Sequence, residues 1–167
     1  MNALPLPALV LSLLILPLSA ARAQVPSAIA APGESLVATM HAEGAQVYQC
    51  KADASGKLAW QFREPIATLL VDGKTLGRHY AGPDWELVDG SAVSGKVAGR
   101  APGATAKDIP LLKLDVTSQR GTGRLTGVAT IQRLNTKGGV GEGPCGTAGA
   151  FLGVPYSADY TFLKQGS

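Results

Sequence analysis

Period-two alternation of large apolar and polar residues recurs along this chain, and it restricts the sequence to a small set of folds. Near the C-terminus Tyr156, Ala158, Tyr160 and Phe162 alternate with Ser157, Asp159 and Thr161. Leu112, Leu114 and Val116 alternate with Lys113, Asp115 and Thr117, and Leu58, Trp60 and Phe62 with Ala59, Gln61 and Arg63. Successive side chains of a strand point to opposite faces, so each run reads as a half-buried strand. Turn signals separate the runs: Asp53-Ala54-Ser55-Gly56, Asp72-Gly73, Asp89-Gly90 and Arg120-Gly121-Thr122-Gly123. The 21 glycines and 11 prolines punctuate the sequence too often for long helices. The expectation is an all-β chain of about eight or nine short strands, a single-domain β-barrel or β-sandwich.

The remaining strands are read from weaker patterns. Ser35–His41 and Gln46–Lys51 are two separate strands, the second forming a hairpin with Leu58–Phe62 whose apolar face holds Tyr48, Cys50, Trp60 and Phe62. Glu64-Pro65 interrupts the pattern, and Ile66–Leu70 is a helical turn or a further strand. Lys74–Ala81, Trp85–Val88 and Ala92–Val97 follow, then a loop over 99–108 and a long strand over Leu125–Leu134. Residues 137–149 form a glycine-rich loop carrying Cys145.

The N-terminus is set apart from the fold. From Leu4 to Ala20 the chain is almost wholly apolar, and it ends in Ala21-Arg22-Ala23, an A-x-A-like cleavage site. Residues 1–23 are therefore read as a secretory signal peptide, broken by Pro5, Pro7 and Pro17 and too short to span a bilayer well. Residues 24–34, rich in Ala, Pro and Ser, are a loose lead-in, and 35–167 are one β-rich domain. The expected location is the periplasm or the extracellular medium, with no stable membrane insertion after cleavage.

Export changes the meaning of the two cysteines. In an oxidising compartment an even count argues for pairing, so Cys50 and Cys145 are expected to form a disulfide. The alternative is two buried free thiols. The formal net charge of +3 does not make a nucleic-acid binder, because the Lys and Arg residues are scattered among acidic ones with no clustered basic footprint.

The densest group of functional side chains is Gly77–Glu86, which holds one of two histidines and one of two tryptophans. If Pro83-Asp84 is a two-residue hairpin loop, Gly82 faces Trp85 and Ala81 faces Glu86. His79 and Glu86 then share a face as diagonal neighbours, roughly 7 Å apart at Cβ. Such a pair can tune an imidazole for acid–base work, which makes His79 and Glu86 the candidate catalytic residues. Arg78, His79, Tyr80, Asp84, Trp85 and Glu86 together are the candidate ligand-binding residues, with Trp85 and Tyr80 offering a stacking surface. The bland reading is a packed hairpin whose His79 makes a structural hydrogen bond.

Other chemistries find little support. His41, His79, Asp84 and Glu86 have no metal-ligand spacing, so no metal is expected, and His41 reads as a surface residue at a strand end. No Gly-x-Ser-x-Gly elbow exists, and Ser91 has no activating partner in sequence. The run Gly138–Gly143 superficially resembles a phosphate loop but lacks the Gly-Lys-Ser/Thr ending, so no cofactor is expected and a flexible tethered loop is preferred.

Several segments together resemble one known family. They are Gln46-Val47-Tyr48-Gln49-Cys50, Trp60-Gln61-Phe62, Gly77–Glu86, Asp89-Gly90-Ser91, Ile131-Gln132-Arg133-Leu134-Asn135-Thr136-Lys137-Gly138-Gly139, Cys145 and Val154–Tyr160. In this order they resemble domain-of-unknown-function family 3455, small exported proteins of bacteria and fungi. One position departs: Leu111 stands after Ile109-Pro110 where an aromatic or larger apolar residue is expected. The resemblance implies export and a shared fold but carries no reaction or substrate. Two classes of function stay open, a module that binds a small molecule or glycan at the Gly77–Glu86 group, and a hydrolase-like enzyme using His79 and Glu86. A third is an envelope or extracellular structural protein acting through its surface.

Overall fold

Eight strands follow one another with connections that make sequence neighbours antiparallel partners. The structure, a computed structural model, describes residues 25–166. The predicted signal peptide lies outside the described residues. The strands are β1 (Glu34–Ala52), β2 (Leu58–Val71), β3 (Lys74–Tyr80), β4 (Asp84–Leu87), β5 (Ala92–Ala101), β6 (Leu111–Arg120), β7 (Thr130–Gly138) and β8 (Phe151–Gln165). Each pairs with the next, and β8 returns to pair with β1 from Glu34↔Gln165 to Gln49↔Phe151. The sheet thereby closes on itself into a barrel without free edges. Of the two architectures the sequence left open, the barrel is the one formed.

Closure needs sharp local twist, and the ladder supplies it at irregular points. Register shifts occur at Val47/Tyr48 in the β1–β2 pairing and at Ser94/Gly95 and Val97/Gly99 in the β5–β6 pairing. Such bulges bend a strand and increase its twist. The β2–β3 turn is Asp72-Gly73, with φ of 50° and 73°, the left-handed pair that a two-residue hairpin favours.

Several boundaries differ from the sequence reading, each for a physical reason. The two expected N-terminal strands are one, because β1 spans two pairing zones: its first part pairs with β8 alone, and from His41 onward with β2 as well. Pro65 does not end β2. It pairs with Gln46, and β3 pairing begins only at Ala67, so no ladder on that side needs its missing N–H. The expected strand over Leu125–Leu134 begins at Thr130. Leu125 and Val128 belong instead to the β6–β7 connection, where both are fully buried in the core. The expected loop over 99–108 starts later, because β5 runs to Ala101.

The lead-in is not loose. A single 3-10 turn at Ser27–Ile29 packs on β5 and β6, burying Ile29 completely. Its Ile29 carbonyl accepts a 2.6 Å hydrogen bond from Gln132 Nε2, so the segment covers an outward-facing polar residue of β7. The Cys50–Cys145 disulfide is formed, with Cα atoms 5.8 Å apart, and it ties the β7–β8 connection to the end of β1. That glycine-rich connection is packed rather than free. Tyr48 Oη donates to Gly139 O at 2.7 Å, and a Cβ at Gly141 would lie 2.7 Å from the Tyr48 ring.

The two ends of the barrel are filled differently. The end bearing the β2–β3, β4–β5 and β6–β7 turns is filled by apolar side chains, among them Met40, Leu69, Leu87, Leu125, Val128 and Phe162. Toward the other end polar and aromatic residues join the aliphatic ones at inward positions, and there the interior is not filled.

Candidate ligand-binding cavity

The β3–β4 hairpin decides which side chains face inward. Its loop is Ala81-Gly82-Pro83, so Tyr80 pairs with Asp84, His79 with Trp85, Arg78 with Glu86 and Gly77 with Leu87. Trp85 thus faces His79 rather than Gly82, an odd shift from the expected register, and an odd shift exchanges the faces. His79 and Glu86 stand on opposite sides of the sheet. The expected acid–base pair between them is not formed.

Outside the barrel, Glu86 is the centre of a cluster. Its Oε2 accepts hydrogen bonds from Tyr80 Oη at 2.8 Å, Arg120 Nη2 at 2.9 Å and Arg78 Nη2 at 3.1 Å. The Arg78 guanidinium lies 4.7 Å from the Tyr80 ring centroid. The bond from Arg120, then those from Tyr80 and Arg78, hold the Glu86 carboxyl down to about 2. A carboxylate so committed is a fastening between β3, β4 and β6, not a free base. Asp84 contributes its backbone carbonyl inward, to His79.

Inside, His79 is 2% exposed and stacks on Trp85, while Tyr160 packs edge-on against both rings. Its Nδ1–H donates to the Asp84 carbonyl at 2.8 Å, since a carbonyl can only accept. Burial pushes the imidazole down to about 3, with the Asp84 bond opposing and the Arg133 charge adding to the shift. The ring is therefore neutral at ordinary pH, with Nε2 left as an acceptor.

These residues line a cavity of about 500 Å³ that occupies the unfilled part of the barrel. Its polar lining includes Gln46, His79, Trp85, Arg100, Arg133 and Tyr160. Val97, Ile109, Leu112 and Leu114 supply apolar wall, and Phe62, Arg63 and the β3–β4 loop contribute to the lining as well. Gly95 makes room for the indole: a Cβ there would lie 3.2 Å from Trp85 Cζ3. Arg133 is anchored through Nε and Nη2 to the Pro110 carbonyl, at 3.0 and 2.9 Å.

Three lining residues carry buried polar atoms without a hydrogen-bond partner in the protein: Gln46 Nε2, Trp85 Nε1 and Tyr160 Oη. The Tyr156 hydroxyl is near that of Tyr160 and the Gln46 amide, and the Tyr160 hydroxyl is near the Arg133 guanidinium, but none of these contacts completes an aligned hydrogen bond. Burial raises both phenols, so both stay protonated. Native interiors rarely leave such groups unpaired, and three around one cavity is a concentration that calls for a cause. The lining contains no carboxylate, thiol or aliphatic hydroxyl. Among the described residues no three His, Cys, Asp or Glu side chains gather as metal ligands.

Of the six residues expected to bind a ligand, the fold brings His79 and Trp85 to the cavity and leaves Arg78, Tyr80, Asp84 and Glu86 outside its lining. Gln46, Arg100, Arg133 and Tyr160 were not singled out by the sequence. His41 is exposed as expected, but it lies within β1, where its Nδ1 meets Asp159 Oδ1 at 2.8 Å.

Comparison with known families fits this arrangement into a wider group. The model of the family described as Protein of unknown function (DUF3455) matches residues 31–74 and 70–164. The chain belongs to that family. The match covers the strands, apart from Gln165 at the end of β8, and every residue of the cavity lining, so the barrel and its interior lie within the family's shared region. No curated protein and no solved structure matches the chain.

Proposed function

We propose that this protein is an exported β-barrel that holds a small molecule in its interior. The observation that carries the reading is the cavity of about 500 Å³ inside the barrel, walled by Val97, Ile109, Leu112 and Leu114 and by the polar residues Gln46, His79, Trp85, Arg100, Arg133 and Tyr160. Small-molecule sites are apolar concavities of about 300–1,000 Å³ with a few placed polar groups, and small eight-stranded barrels have room for one such ligand. Tyr48, Trp85 and Tyr160 are buried inside and only Phe62 of the aromatic lining is exposed, which favours an enclosed ligand over a glycan stacked on an exposed ring. The disulfide suits an exported protein, since such bonds persist in oxidising compartments.

Binding is favoured over catalysis by the same inventory. His79 is neutral, is held by a backbone carbonyl and has no nucleophile or carboxylate beside it in the lining. The test is a fragment screen read by amide and indole N–H chemical shifts on the mature protein. Bound compounds should move the Trp85 indole and Gln46 side-chain signals. Compounds that move only the Arg78, Tyr80 and Glu86 surface would reject the cavity as the site.

A further inference from the structure

The charge inside the cavity narrows the ligand to a chemical class. Three arginines line it, Arg63, Arg100 and Arg133, and no acidic residue does. Arg63 is matched by Glu64, 3.1 Å away. Arg100 and Arg133 have no ion-pair partner among the described residues. Arg133 is partly buried, and its two hydrogen bonds to Pro110 O use one edge of the guanidinium, while the other protein group close to it is the Tyr160 hydroxyl, which is uncharged. A cation drawn out of water toward an apolar interior costs stability unless an anion or strong acceptors compensate.

The hydrogen-bonding inventory points the same way. The guanidinium N–H groups of Arg100 and Arg133 can only donate, and the buried amide of Gln46, indole of Trp85 and hydroxyl of Tyr160 behind the wall add further donors rather than fixed acceptors. Donors and positive charge therefore outnumber acceptors, of which His79 Nε2 is the clearest. The ligand that answers this surface brings oxygen lone pairs and negative charge. Val97, Ile109, Leu112 and Leu114 offer nothing to a bare inorganic ion, so the rest of the ligand is apolar.

We infer that the cavity takes a small organic anion, a carboxylate or sulfonate on an apolar ring or short chain, with its charged end toward Arg133 and Arg100. This rests on the cavity being a binding site, and it adds the sign and the polarity of what enters. A cleft lined by one sign of charge with low-dielectric walls also concentrates ligands of the opposite sign at its mouth.

Two probes separate the parts of the argument. The dye 1-anilinonaphthalene-8-sulfonate and its uncharged relative N-phenyl-1-naphthylamine share one ring system and differ by the sulfonate. Each is titrated into the folded, disulfide-bonded protein, with the Trp85 indole N–H signal as the reporter of site. The anionic dye is expected to bind at least roughly tenfold more tightly than the neutral one, and to weaken more as salt is added. Arg133→Gln should remove most of that preference, weakening the anionic dye far more than the neutral one. Arg100→Gln, at an exposed position, should reduce it partly without endangering the Pro110 contact. If both dyes move the Trp85 signal with equal affinity, the cavity reading stands and the anion inference falls. If neither moves it, both fall.

Discussion

The His79 imidazole lies face to face with the Trp85 indole, ring centroids 4.4 Å apart and planes within 10° of parallel. The imidazole in this stack is uncharged, and its charge state has a measurable consequence. Burial holds His79 near 3, against about 6.5 in an unfolded chain. Between those values the unfolded state binds a proton that the folded state refuses, so stability falls as pH drops from about 6.5 toward 3 and this slope ends below. The loss attributable to His79 is of order a few kcal/mol. Urea melts at several pH values should show that His79→Asn, which can keep a donor for the Asp84 carbonyl, flattens this slope. An unchanged slope in a folded variant would mean that the imidazole is not buried neutral.

Glu86 provides the opposite test, because it was the expected partner of His79 and is instead outside the barrel. Glu86→Gln and Arg78→Ala should leave the binding of any cavity ligand unchanged. Both should lower the urea midpoint modestly at neutral pH, since the cluster fastens β3 to β6. The sign with pH follows from a carboxyl held near 2 by Arg120, Tyr80 and Arg78. Its contribution is complete above the unfolded value of about 4.5 and disappears as pH falls through 2. The Glu86→Gln difference should therefore fade only below about pH 4.5, whereas the His79 slope already begins near pH 6.5.

Much of the barrel is legible in the sequence, and the site much less so, for one reason. Alternation reports which residues of a strand share a face, and Tyr156, Ala158, Tyr160 and Phe162 are all buried as their spacing predicts. Alternation does not report which residue of the next strand lies opposite, because that depends on loop length. A three-residue loop at Ala81–Pro83 in place of two residues at Pro83-Asp84 was enough to send Glu86 outward and bring Trp85 onto His79. Arg133 carries a readable signal: it follows Ile131 by two, so it shares the inward face of β7 with a fully buried residue. Gln46 carries one too, two residues before Tyr48 on β1. Arg100 was not legible, because the shift at Val97/Gly99 resets the alternation that would have placed it.

The disulfide gives a third prediction. Cys50–Cys145 closes a loop of 95 residues, which in the chain-entropy model is worth about 4–5 kcal/mol. Measured losses run about 2–5 kcal/mol, so the Cys50→Ser/Cys145→Ser double variant should melt at clearly lower urea. The connection it tethers also holds Gly139, whose carbonyl takes the Tyr48 hydroxyl. Reduction should then loosen the Tyr48 side of the cavity while the opposite turns at Asp72-Gly73 and Asp89-Gly90 keep their amide protection. Hydrogen exchange resolves the two regions, and uniform loosening would show that the bond acts only through global stability.

Gly95 links the barrel backbone to the cavity most directly. Its position on β5 faces Trp85, and an added Cβ would meet Trp85 Cζ3 at 3.2 Å and Leu114 Cβ at 3.3 Å. Both neighbours are nearly inaccessible to solvent and line the cavity, so neither can move without altering it. Gly95→Val should cost about 1–3 kcal/mol by overpacking. Its second effect distinguishes this site from any other crowded glycine: the indole should be pushed toward the cavity, changing the Trp85 N–H shift and lowering affinity for the naphthalene dyes. Gly44→Ala provides the control, because its Cβ would strike the Ile66 carbonyl, away from the cavity lining. The control should destabilise the fold without a specific change at Trp85. Equal effects of the two variants on dye affinity, measured where both are fully folded, would show that Trp85 does not shape the binding surface.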